Sequence, residues 1–489
     1  MEAVDIVIIG AGLSGICAAA YLKRRHPEKS VVILERRAQI GGTWDLFRYP
    51  GVRSDSDMYT LGYSFRPWSS PDTVASGEHI RDYIETTARE LGLFGLIRFE
   101  STVSHVSWSS AEQRWTVQYT TAEEAMCEIR STMLVACTGY YDFDEGYVPD
   151  IQGLSGFSGD VIHPQHWPDG YTLEGKRVVV VGSGATAVSL VPAISQQAAH
   201  VTMLQRSPSY LLSRPAEDWL GSYLSTPYQK LAFWAGRARA IAGQNLLVQL
   251  SKRFPEKVRE VLLGRVHQAF EGSDVDVQAH FYPHYNPWEQ RLCLVSDGDL
   301  FESVRQGDVS MVTDHIDRVE EDGIRLRSGE FLASDVIIMA TGLKLLFLGH
   351  ISMSVDGEQI DPSSLLCYRG VMFDGVPNFV SMFGYTSASW TLKIELVSSY
   401  LCDLLEFMGD EEFGVVMPHM TRAEREKMST RSIMDNLSSA GYVKRAKDIL
   451  PQQGSHQPWC NLDNYVLDML AFRRPSFREP ALKFERRRR

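Results

Sequence analysis

Three glycines close to the N-terminus, Gly10, Gly12 and Gly15, have the spacing of a phosphate-binding turn. They lie between an apolar run and a stretch with helical spacing. The first would form a tight turn, the second would let a pyrophosphate approach the backbone, and the third would let helix and strand pack closely. The free N–H groups of the helix N-terminus would bind the pyrophosphate. Glu35 ends the next apolar run, where a carboxylate can bind a ribose diol. This pattern predicts a dinucleotide site.

A second turn of the same kind follows the apolar strand 178–181. The next strand ends in Arg206 and Ser207 instead of an acid. A guanidinium and a hydroxyl at this point suit a 2′-phosphate, which favours NADP over NAD, and a solvated arginine at a strand end is the alternative. The predicted NADP-binding residues are Gly182, Ser183, Gly184, Ala185, Ala187, Arg206 and Ser207, with Arg53 and Ser54 from an earlier loop.

Two different dinucleotide sites on one chain imply a flavoprotein in which NADPH delivers hydride to FAD. In the loop after the first unit, Gly41 and Gly42 would bring backbone close to FAD and Trp44 could cover it. Arg53 and Asp55 would form an opposite-charge pair near the flavin ring, although the same residues also suit an exposed capping turn. The predicted FAD-binding residues are Gly10, Gly12, Gly15, Glu35, Gly42, Thr43, Trp44, Asp55 and Val103.

The segment FSGDVIHPQHWP, residues 157–168, contains two aromatic residues, two histidines and two prolines. It could be a buried corner of a core, a metal site or a hinge. His163 and His166 have no third ligand nearby and Pro164 separates them, so we expect no metal here. Because the segment lies between the two nucleotide units, we favour a hinge that transmits domain rotation.

The strands and helices that the sequence indicates around these motifs predict an α/β fold. It would have two Rossmann-like dinucleotide-binding domains and a helical insertion. We expect the FAD-binding domain over residues 1–145 and 343–489, and the NADP-binding domain over residues 146–212 and 290–342. Residues 213–289 have helical spacing and would form the insertion near the substrate entrance.

Three tryptophans lie in the less regular parts of the chain. Trp219 and Trp234, in the insertion, are expected in the core. The apolar and basic helical faces of that segment leave a membrane-apposed surface as the alternative. Trp390 belongs to a segment that returns to the FAD-binding domain, and we expect it near the flavin.

The composition excludes several classes of protein. The 489 residues, 44% hydrophobic and 22% charged, predict a globular chain of two or three domains. A net charge of −12 disfavours a nucleic-acid-binding protein. Seven scattered cysteines without a CxxC pair suit reduced thiols in a cytoplasm and disfavour a disulfide reductase. The sequence predicts neither a signal peptide nor a membrane span, and the basic run 486–489 leaves a weak peripheral membrane contact as the minor alternative.

Together these motifs resemble the class B flavoprotein monooxygenases. The group's fingerprint F-x-G-x-x-x-H-x-x-x-W-P is matched at Phe157, Gly159, His163, Trp167 and Pro168, and the Trp–Pro ending resembles the Baeyer–Villiger branch. GGTWDLFRYPGVRSD resembles the second signature of that branch. Longer segments, among them NPWEQRLCLV, GYTSASWTLK and GYVKRAKDILPQQGSHQPW, resemble the ethionamide-activating monooxygenase subfamily of mycobacteria.

The resemblance implies a mechanism in which NADPH reduces FAD and O2 adds to give a C4a-peroxyflavin. This species would insert oxygen beside the carbonyl of a lipophilic ketone, or oxygenate the sulfur of a sulfide or thioamide. It also implies that Arg291 is the active-site cation, that Asp55 is its partner, and that His163 is a hinge residue. Many members have a lysine just before that arginine. Gln290 stands there in this chain, which leaves more of the 2′-phosphate to Arg206.

Two other functions fit the same motifs. The first is a flavin monooxygenase that oxygenates only nitrogen or sulfur. The second is an uncoupled NADPH oxidase or redox sensor, in which NADPH consumption yields hydrogen peroxide whatever substrate is added.

Overall fold

The computed structural model describes residues 2–290, 292–437, 440–473 and 475–488. The strands are β1 (Glu2–Ile9), β2 (Val31–Leu34), β3 (Ile97–Arg98), β4 (Thr102–Ser109), β5 (Arg114–Thr120), β6 (Met126–Ala136), β7 (Tyr141–Gly146), β8 (Asp160–Ile162), β9 (Arg177–Val181), β10 (His200–Gln205), β11 (Leu211–Arg214), β12 (Cys293–Ser296), β13 (Val309–Thr313), β14 (Ile316–Glu320), β15 (Gly323–Leu326), β16 (Phe331–Ala333), β17 (Val336–Met339), β18 (Leu343–Leu345), β19 (Ser352–Val355), β20 (Glu358–Ile360), β21 (Cys367–Tyr368), β22 (Met372–Phe373), β23 (Phe379–Ser381), β24 (Phe413–Pro418), β25 (Arg431–Ser432), β26 (Gln452–Gln453) and β27 (Leu482–Arg486).

The helices are α1 (Leu13–Arg25), α2 (Thr43–Leu46), α3 (Met58–Leu61), α4 (Gly77–Glu90), α5 (Ala185–Ser195), α6 (Gln229–Arg253), α7 (Pro255–Ala269), α8 (Val277–Phe281), α9 (Asp299–Gln306), α10 (Trp390–Asp410), α11 (Arg422–Arg425), α12 (Gly441–Arg445) and α13 (Tyr465–Phe472). Short 3-10 turns occur at Phe94–Leu96, Leu154–Gly156, Pro164–His166, Gly221–Tyr223, Pro362–Ser364 and Asp435–Leu437.

The larger sheet has the strand order β20-β19-β4-β5-β6-β1-β2-β3, and β23 also pairs with β6. Strand β1 pairs in parallel with β2 and with β6. Its last four residues, 6–9, are buried, as expected for a parallel strand with both faces covered. Strands β4, β5 and β6 pair antiparallel, in agreement with the alternating apolar and polar residues of β4 and β5.

The second sheet, β13-β10-β9-β17-β8, is parallel throughout. Residues 178–181 of β9 are buried, and the glycine-containing turn that follows them leads into α5. Each sheet therefore presents a strand–turn–helix unit of the dinucleotide-binding type, as the sequence motifs predict.

The chain crosses between the two sheets twice, and the two crossings lie side by side. Strand β7 leads out of the larger sheet and β18 leads back, and they pair antiparallel with Leu343 opposite Gly146. This two-stranded ribbon joins the parts of the molecule that carry the two glycine turns.

The helical segment after β11 divides between the two sheets: α6 packs on the larger sheet's side, whereas α7 and α8 pack against the core of the second sheet. Arg237 of α6 is buried, donates hydrogen bonds to the carbonyls of Tyr59 and Gly62 at 2.9 Å each, and forms an ion pair with Glu395 of α10. The expectation that Trp219 and Trp234 lie in the core is wrong, because they are 68% and 50% exposed. Helical spacing indicates a helix but does not say which of its faces is covered.

Among the described residues, no helix has both the length and the apolar character that crossing a membrane requires.

Candidate functional site

A cavity of about 880 Å³ connects the two glycine turns. Most of the residues predicted to bind cofactors line it: Gly10, Gly12, Glu35, Gly42, Thr43, Trp44, Arg53, Ser54, Asp55, Val103, Gly182, Ser183, Gly184, Ala185, Arg206 and Ser207. Trp390 also lines it, and its indole Nε1 donates a hydrogen bond to Ser14 Oγ at 2.8 Å. Residues from both sheets therefore enclose one space large enough for extended ligands.

The first turn is built from close backbone contacts. Gly10 has a φ of +101°, and a Cβ there would lie 2.7 Å from the carbonyl oxygen of Cys137. A Cβ on Gly15 would lie 1.9 Å from the carbonyl oxygen of Gly10, so helix α1 packs directly on the turn. Gly12 caps the N-terminus of α1 without a side-chain hydrogen bond. The N-terminal N–H groups of α1 thus remain available to an anion in the cavity.

Glu35 lies at the end of β2, beside this turn. One carboxylate oxygen accepts a hydrogen bond from the backbone N–H of Ala11 at 2.7 Å, and the other from that of Arg37 at 2.9 Å. Burial raises the pKa of this carboxyl, and the two N–H donors oppose that effect. The carboxylate is held at the cavity wall with lone pairs left for hydroxyl donors, as ribose binding requires.

The second turn is built from the same kind of close backbone contacts as the first, but the next strand is followed by a base, Arg206, and not by an acid. A Cβ on Gly182 would lie 2.2 Å from the carbonyl oxygen of Ala340, whereas a Cβ on Gly184 would contact no atom within 4 Å. Ala187 is fully buried and packs helix α5 on the sheet. Ser183 Oγ donates to the carbonyl of Ser207 at 2.9 Å, which ties the turn to the end of β10.

Four arginines of the described part of the chain line the cavity, and they differ in whether they have a carboxylate partner. Arg36 forms an ion pair with Asp144, and Arg53 forms one with Asp299. No ion pair of Arg206 or Arg445 is found within the described ranges. The guanidinium of Arg445 lies instead over the ring of Tyr147, 3.4 Å from its centroid. Two cavity-lining cations without a carboxylate partner suit a ligand with several anionic groups.

The loop between the turns differs from the prediction in one respect. Arg53 and Asp55 were expected to form a pair near the flavin ring, but the ion pair that the structure gives Arg53 is with Asp299 of α9. The Nε atom of Arg53 is buried and has no hydrogen-bond partner among the described residues. Other atoms of Arg53 line the cavity.

The loop 157–168 lies against the two-stranded ribbon. His163 Nε2 donates to the carbonyl oxygen of Gly342 at 3.1 Å, and His163 Nδ1 accepts from the backbone N–H of Gln165 at 3.2 Å. A Cβ on Gly146 would lie 2.0 Å from the His163 ring. The imidazole therefore contacts both crossings of the chain, which supports the hinge interpretation for this residue. It does not line the cavity.

Packing explains why Gly159 and Trp167 occur in this loop. A Cβ on Gly159 would lie 2.2 Å from the carbonyl oxygen of Asp335, and Trp167 packs edge-on against Tyr171. His166 Nε2 donates to the carbonyl oxygen of Asp144 at 3.1 Å. Both histidine Nε2 atoms thus bind backbone carbonyls, an arrangement that leaves them unsuited to a shared metal ion.

The His163 environment predicts a pH-dependent stability. Burial lowers the pKa of this imidazole below its usual 6.5. Between that value and the lowered one, the unfolded chain binds more protons than the folded chain, so stability falls as the pH falls below about 6.5. Thermal unfolding between pH 8 and pH 5 should show this loss, and His163→Gln should reduce it. His79→Gln, at an exposed histidine of α4, is the matched control, and an equal change in both variants would contradict the prediction.

The predicted Arg291 lies outside the described residues. Its neighbour Gln290 lines the cavity, as do Cys293 and Asp55. The sequence prediction missed Arg445 and Tyr147 as cavity residues. The only signal for Arg445 was the segment GYVKRAKDIL, whose resemblance to the subfamily carried no assigned role.

Comparison with known proteins identifies the family of this chain. Residues 3–360 match the model of the family described as flavin-binding monooxygenase-like. The chain is 45% identical to the FAD-containing monooxygenase EthA of Mycobacterium tuberculosis over 492 aligned residues, covering 99% of this chain and 98% of that protein. The chain belongs to the flavin-binding monooxygenase-like family. This confirms the family predicted from the motifs.

Other monooxygenases are similar to this chain over its full length, in sequence or in structure. The probable FAD-binding monooxygenase AlmA of Acinetobacter baylyi is 42% identical, covering 99% of this chain and 96% of its own. An oxidized steroid monooxygenase bound to NADP has a similar structure, with a TM-score of 0.78, 20% identity and 99% coverage of both chains. Cyclohexanone monooxygenase bound to ε-caprolactone has a TM-score of 0.75 at 21% identity, covering 99% of this chain and all of that one. These last two likenesses confirm the α/β fold class.

Proposed function

We propose that this protein is an NADPH- and O2-dependent FAD monooxygenase of the Baeyer–Villiger type. It would convert lipophilic ketones to esters and would also oxygenate the sulfur of sulfides or thioamides. The observation that carries the proposal is that one continuous cavity joins the two glycine turns, one with an acid at its strand end and one with an arginine. The similarity of this chain to the FAD-containing monooxygenase EthA and to cyclohexanone monooxygenase supports the proposal.

Different residues of the cavity would bind the two cofactors. When bound, FAD and NADPH supply the electrons and the site of oxygen activation. Glu35 would bind the ribose of FAD, and the N-termini of α1 and α5 would bind the diphosphates of FAD and NADPH respectively. Arg206 and Ser207 would bind the 2′-phosphate. The guanidinium of Arg445 would add donors at the cavity wall for the same anionic ligands.

Arg291 would act as the fixed cation of the oxygenation step, because fixed charge in a dry cavity stabilises a developing anion without reorganisation. Its motif and the cavity-lining position of Gln290 support this role. Asp55 lines the same cavity and would hold the guanidinium in place. His163 would act as a positioning residue at the ribbon between the two parts of the molecule.

We retain the domain division as part of the proposal. Residues 1–145 and 343–489 would bind FAD, residues 146–212 and 290–342 would bind NADPH, and residues 213–289 would lie near the substrate entrance. The pairing of β7 with β18 at the two borders supports these limits. We further propose a cytoplasmic location.

Labelled oxygen provides the test of the function. The purified holoenzyme is incubated with NADPH, 18O2 and either a lipophilic ketone or a thioether. We expect one labelled oxygen atom in the ester and one in the sulfoxide, with product close to the NADPH consumed. Labelled sulfoxide without ester would favour the nitrogen- and sulfur-oxygenating alternative. Peroxide equal to the NADPH consumed, with neither product, would favour the oxidase or sensor.

The NADPH preference provides a separate prediction. Arg206→Ala should raise the KM for NADPH by about tenfold to a hundredfold, since a charge-assisted hydrogen bond contributes roughly 1.5–3 kcal/mol. The KM for NADH, which has no 2′-phosphate, and kcat should change little. Steady-state kinetics with both coenzymes checks this. Arg206→Lys should keep part of the preference, and an equal loss for the two coenzymes would contradict the assignment.

A further inference from the structure

Exposed apolar side chains are concentrated in two parts of this molecule. Of the sixteen large hydrophobic side chains that are exposed in the described residues, nine lie in the segment 219–261 and three in α13. They are Trp219, Tyr223, Tyr228, Leu231, Trp234, Leu246, Leu250, Phe254 and Val261, with Val466, Leu467 and Leu470. Scattered exposed hydrophobic residues are normal, but a concentration of this kind indicates a binding surface.

Helix α6 is apolar on both its covered and its exposed faces. Phe233 and Val248 are buried on the face that packs against the rest of the molecule. The exposed face carries Leu231, Ala235, Ala238, Ala242, Leu246 and Leu250, which recur every three or four residues along the helix. Leu231 is 72% exposed and Leu246 is 60% exposed. The exposed face of α6 therefore carries an apolar stripe that no described segment of the chain covers.

The same helix is strongly basic. Its 25 residues include Lys230, Arg237, Arg239, Lys252 and Arg253 and no Asp or Glu, in a chain with a net charge of −12. Arg237 is buried in its ion pair with Glu395, and the other four are exposed. Arg239 forms an ion pair with Asp218, which leaves Lys230, Lys252 and Arg253 as the exposed cations of α6 without an ion pair within the described residues. Exposed aromatic residues beside basic ones are the side chains that favour the headgroup region of a membrane.

Hydrogen bonds connect both α6 and the start of α13 to one loop, around Ser387. Gln244 of α6 donates to the carbonyl of Ser387 at 2.7 Å, and Ser387 Oγ donates to the carbonyl of Asp463, just before α13, at 3.1 Å. Tyr385 and Ala388, on either side of Ser387, line the cavity. The two apolar groups therefore flank one loop at the cavity wall.

We propose that α6 and α13 form a surface that binds the headgroup region of an anionic phospholipid bilayer, with α6 lying in the plane of the interface. The cationic and aromatic residues of α6 complement such a bilayer. A second copy of the chain fits less well, since a symmetric contact through α6 would bring the same basic face against itself. The proposal concerns membrane binding alone and does not depend on the oxygenation reaction.

Vesicle binding of the holoenzyme tests the proposal. The wild-type protein should float with vesicles of phosphatidylglycerol and phosphatidylcholine, and added salt should weaken this binding. Vesicles of phosphatidylcholine alone should bind it less. The double variant Leu231→Glu/Leu246→Glu should lose at least about tenfold in affinity for the anionic vesicles, because it removes two apolar contacts and adds repulsion.

Met126→Glu is the matched control, because Met126 is 69% exposed and belongs to β6, outside α6 and α13, and its substitution should leave binding unchanged. Flavin content and NADPH oxidation without vesicles should be equal in all three proteins, which shows that they fold alike. The proposal is overturned if wild-type protein binds neither kind of vesicle, or if the double variant binds as the wild type does. It is also overturned if the substitutions dissociate an oligomer but leave vesicle binding intact.

Discussion

Arg291→Ala is expected to accept hydride from NADPH at close to the wild-type rate and to lose oxygenated product at least about a hundredfold. Removing one fixed donor that stabilises a developing anion typically costs this much in rate. Hydride transfer does not need that charge, so NADPH consumption should continue and its electrons should appear as hydrogen peroxide. Anaerobic stopped-flow reduction of the flavin measures the first step, and mass spectrometry of ester and sulfoxide measures the second.

The conservative variant makes this prediction specific. Arg291→Lys keeps the charge but not the planar fork of donors, so it should retain part of the oxygenation. Asp55→Asn should lower oxygenation less than Arg291→Ala if Asp55 acts only by holding the arginine. Full ester formation by Arg291→Ala would show that another group stabilises the reacting oxygen.

Gly15→Ala is expected to abolish stable FAD binding. The added Cβ would lie 1.9 Å from the carbonyl oxygen of Gly10 and 3.0 Å from its carbonyl carbon, and both are backbone atoms. Helix α1 would have to move away from the turn that its N-terminus shares with the pyrophosphate. We expect retained flavin to fall below about a tenth of the wild-type amount, because both the turn and the helix N-terminus lose their alignment. The ratio of flavin to protein absorbance after gel filtration measures this.

A matched glycine separates the steric effect from the loss of chain flexibility. Gly95 lies in a 3-10 turn, and a Cβ there would contact no atom within 4 Å. Gly95→Ala should therefore keep its flavin and its melting temperature. Wild-type flavin content in Gly15→Ala would contradict the close packing of α1 on the turn.

The sequence predicts the two glycine turns well because their requirements are local. A tight turn, a helix N-terminus and a strand end lie within about 25 residues of one another, and each residue type has a separate physical reason. The acid at Glu35 and the base at Arg206 follow the same rule. All of these residues except the buried Gly15 and Ala187 line the cavity.

The sequence prediction failed for contacts between segments that are far apart along the chain. Arg53 pairs with Asp299, 246 residues away, although Asp55 is its closest acid in sequence. Arg445 reaches the cavity through a helix that follows both nucleotide units. Trp219 and Trp234 are exposed because their side of the insertion has no partner within the described chain. Periodicity and spacing do not encode such pairings, since they depend on how separate segments dock.

The double crossing at β7 and β18 has a consequence for how the protein forms during synthesis. The five strands of the second sheet all lie between residues 160 and 339, so this sheet can be complete while later segments are still being made. The larger sheet begins with β1 but needs β19, β20 and β23, which end at residue 381. Because domains fold largely as units during synthesis, the second sheet should be the first to be complete, although the first six strands to leave the ribosome belong to the other. The nascent chain must therefore hold β1 and β6 in an unfinished sheet until more than two hundred further residues have been added.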